Sequence, residues 1–205
     1  MSAREVELKA VVDDPAALAA QLGSSGATRA FRGRMLDRRY DYEVRSLEAR
    51  DQVLRVRTFE PAAGSARRLA EVAWKGPTGR DGNYKVREEL QFTVGDAATV
   101  EVMLTHLGLS VTDTIDRCVE LYELDGAVLR LEWYPRMDVL LEVEGPPPAI
   151  ETAVAVSGLP RRAFTPERLL DFAQRYRERT GTTAALNVAA LGGGRPGWPE
   201  WAEGR

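Results

Sequence analysis

One cysteine, one histidine and three lysines are all that this 205-residue chain holds of those residue types. With Cys118 alone, no disulfide framework can form, and with only His106 beside it no Cys/His zinc site can be assembled. Ser-His-Asp and Cys-His nucleophile systems would all need His106, which reads as an ordinary helix residue in the amphipathic run "DAATVEVMLTHLG". No stretch approaches the apolar length of a membrane span, and "MSAREVELK" has no apolar run behind its basic residue, so neither a transmembrane helix nor a signal peptide is expected. A formal net charge of -3 excludes a surface that holds nucleic acid or anionic lipid by bulk positive charge. The expectation is a cytoplasmic protein with no nucleic-acid and no membrane partner, while the oligomeric state leaves no trace in the sequence.

What is present is punctuated alternation. Four helical stretches are marked by their caps: "DDPAALAAQLG", with Asp before Pro15; "DAATVEVMLTHLG", opened by Asp96 and closed by Gly108; residues 147–157 after "PPP"; and "TPERLLDFAQRYRERTG", with Thr165 as cap. Between them, period-two alternation predicts strands near residues 3–12, 35–43, 52–59, 68–76, 83–94, 115–124, 127–134 and 138–145. Short turns such as "ELDGAV" make neighbours antiparallel, and closure would remove exposed edges. The fold class expected is α+β: an eight-stranded antiparallel closed β-barrel with helices packed outside. Residues 1–181 form that domain, and 182–205, rich in Gly, Pro and Ala, form a flexible C-terminal tail.

The three lysines, Lys9, Lys75 and Lys85, stand among twenty-five arginines, and all three fall on charged strand faces. In "EVELK", Glu5, Glu7 and Lys9 share one side while Val6 and Leu8 share the other. The same parity sets Arg55 and Arg57 in "LRVR", Glu71 and Lys75 in "EVAWK", and Lys85, Arg87 and Glu89 in "YKVREEL". It also sets Arg130 and Glu132 in "VLRLEW" and Glu142 and Glu144 in "LLEVEG". These faces could be the wet side of an ordinary sheet with helices on the other face. Two features favour a lumen instead. The faces are nearly all Arg, Lys and Glu, with little Thr, Ser or Gln, and lysine is kept where arginine would serve a solvated surface equally well. Lysine offers a compact charge and a pKa that burial can lower, which makes Lys9, Lys75 and Lys85 candidates for a catalytic role. Inside a barrel the basic set would grip a polyphosphate and the carboxylates would hold Mg²⁺ or Mn²⁺, a site for metal-assisted phosphoryl transfer that needs no histidine.

Glu-x-Glu-x-Lys near the N-terminus, "LRVR", the Lys of "WKGP", "VREE" and "LLEVEG", in that order over roughly residues 3–178, resemble the CYTH group of triphosphate tunnel metalloenzymes. That group contains thiamine triphosphatases, inorganic tripolyphosphatases and class IV adenylyl cyclases. The resemblance implies an eight-stranded antiparallel tunnel. It implies metal ligation by Glu5, Glu7, Glu142 and Glu144, with Glu132 where the family usually has Asp. It implies triphosphate binding by Lys9, Arg55, Arg57, Lys75 and Arg87. Tyr40 in "LDRRYDYE" is a candidate for a tyrosine that assists catalysis, with packing on the outside of the barrel as its alternative. The family's later Lys-x-Arg motif is "IDR" here: Arg117 matches, but Ile115 replaces the lysine, and the lost phosphate contact implies either a shifted substrate preference or a contact left to Lys85.

The function expected is metal-dependent hydrolysis of a small triphosphate, inorganic or organic. The alternatives are cyclisation of ATP to cyclic AMP and pyrophosphate, and a binding module without turnover. The His-Phe dipeptide often found before the first motif of the cyclases is absent, which favours hydrolysis over cyclisation. Both Glu pairs are intact, which argues against pure binding.

Overall fold

The computed structural model describes residues 3–203; Met1 and Ser2 of the expected domain, and Gly204 and Arg205 of the expected tail, lie outside the described residues. Alternation in Ala3–Val12 (β1) sends Val6, Leu8, Ala10 and Val12 into an apolar cluster while Glu5, Glu7 and Lys9 are buried on the opposite face. The remaining strands are Thr28–Tyr42 (β2), Val53–Pro61 (β3), Ala70–Lys75 (β4), Gly79–Asp81 (β5), Tyr84–Val94 (β6), Leu109–Leu124 (β7), Ala127–Trp133 (β8) and Val139–Glu144 (β9). They form one antiparallel sheet in the order β1-β9-β8-β7-β2-β3-β4-β6-β5, and β1 pairs back onto β6, so eight strands close into a barrel and β5 is an additional strand on β6.

Two strands begin well before their expected starts at 35 and 115, because β2 and β7 form one long ladder from Thr28 opposite Glu123 to Tyr42 opposite Leu109. Register shifts between Arg29 and Phe31 and between Arg39 and Tyr40 break the alternation that would have revealed its length. Within that ladder Gly33 admits β3 at close range: a Cβ there would stand 2.2 Å from the Glu60 carbonyl oxygen.

Helices cover the outer wall. Pro15–Ser24 (α1) is capped by Asp14, whose side chain accepts from the Ala17 N–H at 2.9 Å, and Pro147–Ser157 (α3) ends on Gly158 in the left-handed conformation at φ 73°. Leu18, Leu22, Ile150 and Val154 from this pair pack on Leu8, Leu129, Leu131, Leu141 and Val143 of β1, β8 and β9. Each large side chain removed from water there contributes about 1.5–3 kcal/mol. Ala97–His106 (α2) covers β2, β3 and β4 through Leu104, against Tyr40, Val56 and Val72.

Leu169–Thr180 (α4) starts later than the expected cap at Thr165. Thr165 instead exchanges both backbone hydrogen bonds with Lys9, at 2.9 and 2.8 Å, which holds it extended against β1; the Asp171 carboxylate accepts from the Arg168 N–H at 2.8 Å and opens the helix. Phe172 and Leu169 of α4 then reach one end of the barrel and meet Val11, Ile115, Tyr134 and Leu140 there. Beyond α4 the chain lies along the outer wall: Asp116 N–H donates to the Leu186 carbonyl at 2.8 Å, and the Trp201 ring in Glu200–Glu203 (α5) stands edge-on to Trp133 at 6.0 Å. Among the described residues no helix is long and apolar enough to cross a membrane.

Candidate active site in the barrel lumen

Because β1 is flanked by β6 and β9, its charged face meets theirs directly: Glu7 stands opposite Lys85 on one side and Glu144 on the other, and Lys9 opposite Glu142. The Lys9 ammonium donates to Glu7 and lies 2.6 Å from Glu142 Oε2, while the Lys85 ammonium donates to Glu7 at 2.7 Å. Burial alone would raise the Glu7 carboxyl, but Lys9 and Lys85 overcome it and hold the group at about 2. Lys9 stays firmly charged, since Glu142 and Glu7 outweigh its burial. Lys85 is drawn below the usual lysine range by burial and by the neighbouring Lys9 charge. Lys75 completes this side, donating to Glu5 and lying 3.3 Å from Glu89.

On the opposite wall the hub is Asp37, a residue the sequence reading did not single out. It is buried on β2 opposite Arg57, accepts two hydrogen bonds from that guanidinium at 2.6 and 2.9 Å, takes a third from Arg117 at 3.1 Å and has Arg55 at 3.9 Å. Burial pushes its carboxyl up, and Arg57, Arg117 and Arg55 together hold it well below the ordinary range. Arg117 also donates to Glu132 at 2.8 Å, and Glu132 accepts the Tyr134 hydroxyl at 2.5 Å. The signal for Asp37 was its parity with Arg39 and Met35 on β2, which the charged Arg38 on the opposite face masks.

Between these walls lies a cavity of about 320 Å³, lined by Glu5, Glu89, Glu144, Arg55, Arg57, Lys75 and Arg130 among others. Met35, Phe59, Leu121 and Val128 add an apolar surface to it, and Arg68 lies over the Phe59 ring at 5.1 Å. The carboxylates of Glu5, Glu89 and Glu144 come within 4.8 Å of one another. Burial lifts the Glu144 carboxyl to about 7; Arg130 opposes the shift, and Glu5 and Glu142 add to it. Glu5 Oε2 is buried with no hydrogen-bond partner. Oxygen donors, mutual repulsion and an unpaired buried oxygen all suit a hard divalent cation.

Of the residues expected in the site, Lys9, Lys75, Lys85, Arg55, Arg57, Arg117, Glu5, Glu7, Glu132, Glu142 and Glu144 all carry their charged groups into this lumen network. Arg87 shares their face, but its guanidinium donates to the carbonyl oxygens of Gly76 at 2.6 Å and Asp51 at 2.7 Å. Tyr40 is not brought into the lumen; it packs outside, with Val56, Val72 and Leu104. Ile115 is buried in the apolar end with Tyr134, Leu140 and Phe172.

The CYTH domain model matches residues 3–156 of the chain. Among solved structures, a candidate adenylate cyclase from Vibrio parahaemolyticus superposes with a TM-score of 0.71 at 16% identity, covering 85% of this chain and 99% of that one. The PH1819 protein from Pyrococcus horikoshii OT3 gives a TM-score of 0.65 at 21% identity, with 83% and 98% covered. HpAC1 from Hippeastrum, a candidate adenylyl cyclase described as revealing a dominant triphosphatase activity, gives 0.57 at 14% identity, with 91% and 99% covered. No curated protein sequence matches the chain.

Proposed function

The chain belongs to the CYTH domain family, which implies a triphosphatase or cyclase class of enzyme, and from that premise we propose that it is a divalent-metal-dependent hydrolase of a small triphosphate. The observation that supports this reading best is the cavity: five basic side chains, Arg55, Arg57, Arg68, Lys75 and Arg130, share about 320 Å³ with the carboxylate trio Glu5, Glu89 and Glu144. Its volume is that of a small-molecule site. Glu5, Glu89 and Glu144 would hold Mg²⁺ or Mn²⁺, which when bound supplies charge neutralisation at the phosphates. Glu7, Glu132 and Glu142 keep the basic residues in place: Glu7 orients Lys9 and Lys85, Glu142 orients Lys9, and Glu132 orients Arg117. Arg55 and Arg57 offer forked donors to phosphate oxygens, and Lys75 a point charge between Glu5 and Glu89. Lys9 and Lys85, held together on Glu7, would act on the terminal phosphate.

A second reading is cyclisation, in which a ribose 3′-oxygen attacks the α-phosphorus of ATP and pyrophosphate leaves. The apolar surface of Met35, Phe59, Leu121 and Val128 admits it, since it suits the base of ATP as it would the organic part of a hydrolysed triphosphate. A product assay on purified protein separates the readings. Tripolyphosphate, thiamine triphosphate and ATP are offered with Mg²⁺ or Mn²⁺, and phosphate, pyrophosphate and cyclic AMP are resolved. Phosphate release is expected. Cyclic AMP with pyrophosphate would overturn hydrolysis in favour of cyclisation, and binding of tripolyphosphate without any product would leave a binding module.

A further inference from the structure

Arg130 meets three of the carboxylates that the sequence offers as metal ligands. It lies opposite Glu142 across β8 and β9 and donates to it, while Nη1 stands 3.7 Å from Glu132 Oε1 and Nη2 stands 3.7 Å from Glu144 Oε2. The side chain is only 12% exposed, so its charge is held among these carboxylates and away from water. Two of the three have further partners: Glu142 has the Lys9 ammonium at 2.6 Å, and Glu132 has Arg117 and the Tyr134 hydroxyl. Among the described residues, the one group of carboxylates whose ligand atoms come within 4.8 Å of one another is Glu5, Glu89 and Glu144.

A phosphoryl-transfer site with two metal ions sets them about 3.5–4 Å apart, each needing its own oxygen ligands. Here the carboxylates that could form a second group are already turned to a guanidinium fixed by the cross-strand register. We infer that Arg130 is a tethered cation in the position a second divalent ion would take, so that the lumen accepts one ion, at Glu5, Glu89 and Glu144, and Arg130 sets that number. A guanidinium suits the substitution: it is always charged and presents several donors in a rigid plane. The Arg130 Nε is buried with no hydrogen-bond partner, a donor left over for an arriving phosphate oxygen. The inference rests on the proposed metal site.

Its test is Mn²⁺ uptake by the full chain without substrate, counted by electron paramagnetic resonance and by calorimetry. The wild type is expected to take one ion per chain. Arg130→Met, of similar length and without charge, is expected to take two, and Arg130→Lys to stay at one. Arg130→Gln, which keeps a hydrogen-bonding head for Glu142, carries the same expectation as Arg130→Met and serves if that variant does not fold. Two ions in the wild type, two in Arg130→Lys, or one in both uncharged variants would overturn the role of Arg130 while leaving the metal site standing. No uptake by wild type or variants would overturn the metal site and this inference with it.

Discussion

On β7, Ile115 and Arg117 are two residues apart and face the same lumen, yet their surroundings have opposite chemistry. Ile115 touches Tyr134, Leu140 and Phe172 in a dry seal, whereas Arg117 is tied to Asp37 and Glu132 in a lattice of buried charge. The seal is ordinary core, stabilised by area removed from water. The charged middle is not: each ion taken from water costs several kcal/mol, and partners repay that only when every one is in place. A fold stabilised by its apolar outer wall and its seal can carry such a middle, and the oxygens and nitrogens left unpaired there are the ones a ligand would satisfy. The two regions should therefore fail in different ways.

The largest effect is expected from removing the hub of the charged middle. Asp37→Ala leaves Arg57, Arg117 and Arg55 facing one another, and breaking a buried pair of this kind costs about 3–5 kcal/mol. For a chain of this size that lowers the melting temperature by roughly 10 °C. Tripolyphosphate should restore part of the loss, because it brings anionic oxygens to the uncompensated arginines; a variant as stable as the wild type would remove Asp37 as the hub. The wild-type contribution of Asp37 also has a defined pH sense. Its folded pKa lies below the ordinary value of 3.8, so its share of stability is present above that pH and is lost as pH falls through the folded value.

Next in size is Phe172→Ala, which empties the centre of the seal. Burial to 2% exposure among Ile115, Tyr134 and Leu140 predicts a loss of about 3–4 kcal/mol in chemical denaturation. Here added tripolyphosphate should give the variant no greater stabilisation than the wild type, in contrast to Asp37→Ala. A ligand response as large as that of Asp37→Ala would mean that the seal and the charged middle are not separate regions.

A smaller change tests the ligand side of the middle by itself. Glu5→Gln keeps the shape of the side chain and removes one charge from the trio with Glu89 and Glu144. Mn²⁺ affinity measured by calorimetry should fall at least about tenfold, equivalent to roughly 1.4 kcal/mol. Thermal stability should change little, because Lys75 retains Glu89 at 3.3 Å. Unaltered affinity would take Glu5 out of the metal site.

How much of this was legible in the sequence follows the regularity of each strand. In β1, β8 and β9 the alternation is unbroken, and Glu5, Glu7, Lys9, Glu132, Glu142 and Glu144 could be assigned to one face by counting. In β2 the run Asp37-Arg38-Arg39 puts charge on both faces, so no apolar face marks the side of the lumen; Asp37 and Tyr40 lie on opposite faces, and Tyr40 packs under α2. Arg87 shows a second limit. Parity puts it on the correct face, but where a long side chain ends is decided by the Asp51 and Gly76 carbonyls, which only the folded chain brings within its reach. The seal was illegible for the same reason, since its Phe172 comes from a helix far along the chain.

Ile115 carries the smallest prediction and the one that separates the two regions most cleanly. Its place in the sequence suggested a lysine lost from a phosphate site, yet its neighbours in the fold are Tyr134, Leu140 and Phe172. Ile115→Val removes one buried methylene and should cost about 1 kcal/mol, with metal uptake and turnover unchanged. Ile115→Lys distinguishes the two accounts of the position. In the seal a lysine has no carboxylate of its own, because Asp37, directly across the strand pair from position 115, is already held by Arg57 and Arg117, and Glu132 is shared by Arg117, Arg130 and Tyr134. An ammonium placed there must be stripped of water or must force the seal open, so stability should fall further than in Ile115→Val, without tighter binding of tripolyphosphate. Tighter binding at unchanged stability would mean that the lumen reaches Ile115 and that the seal is part of the substrate site.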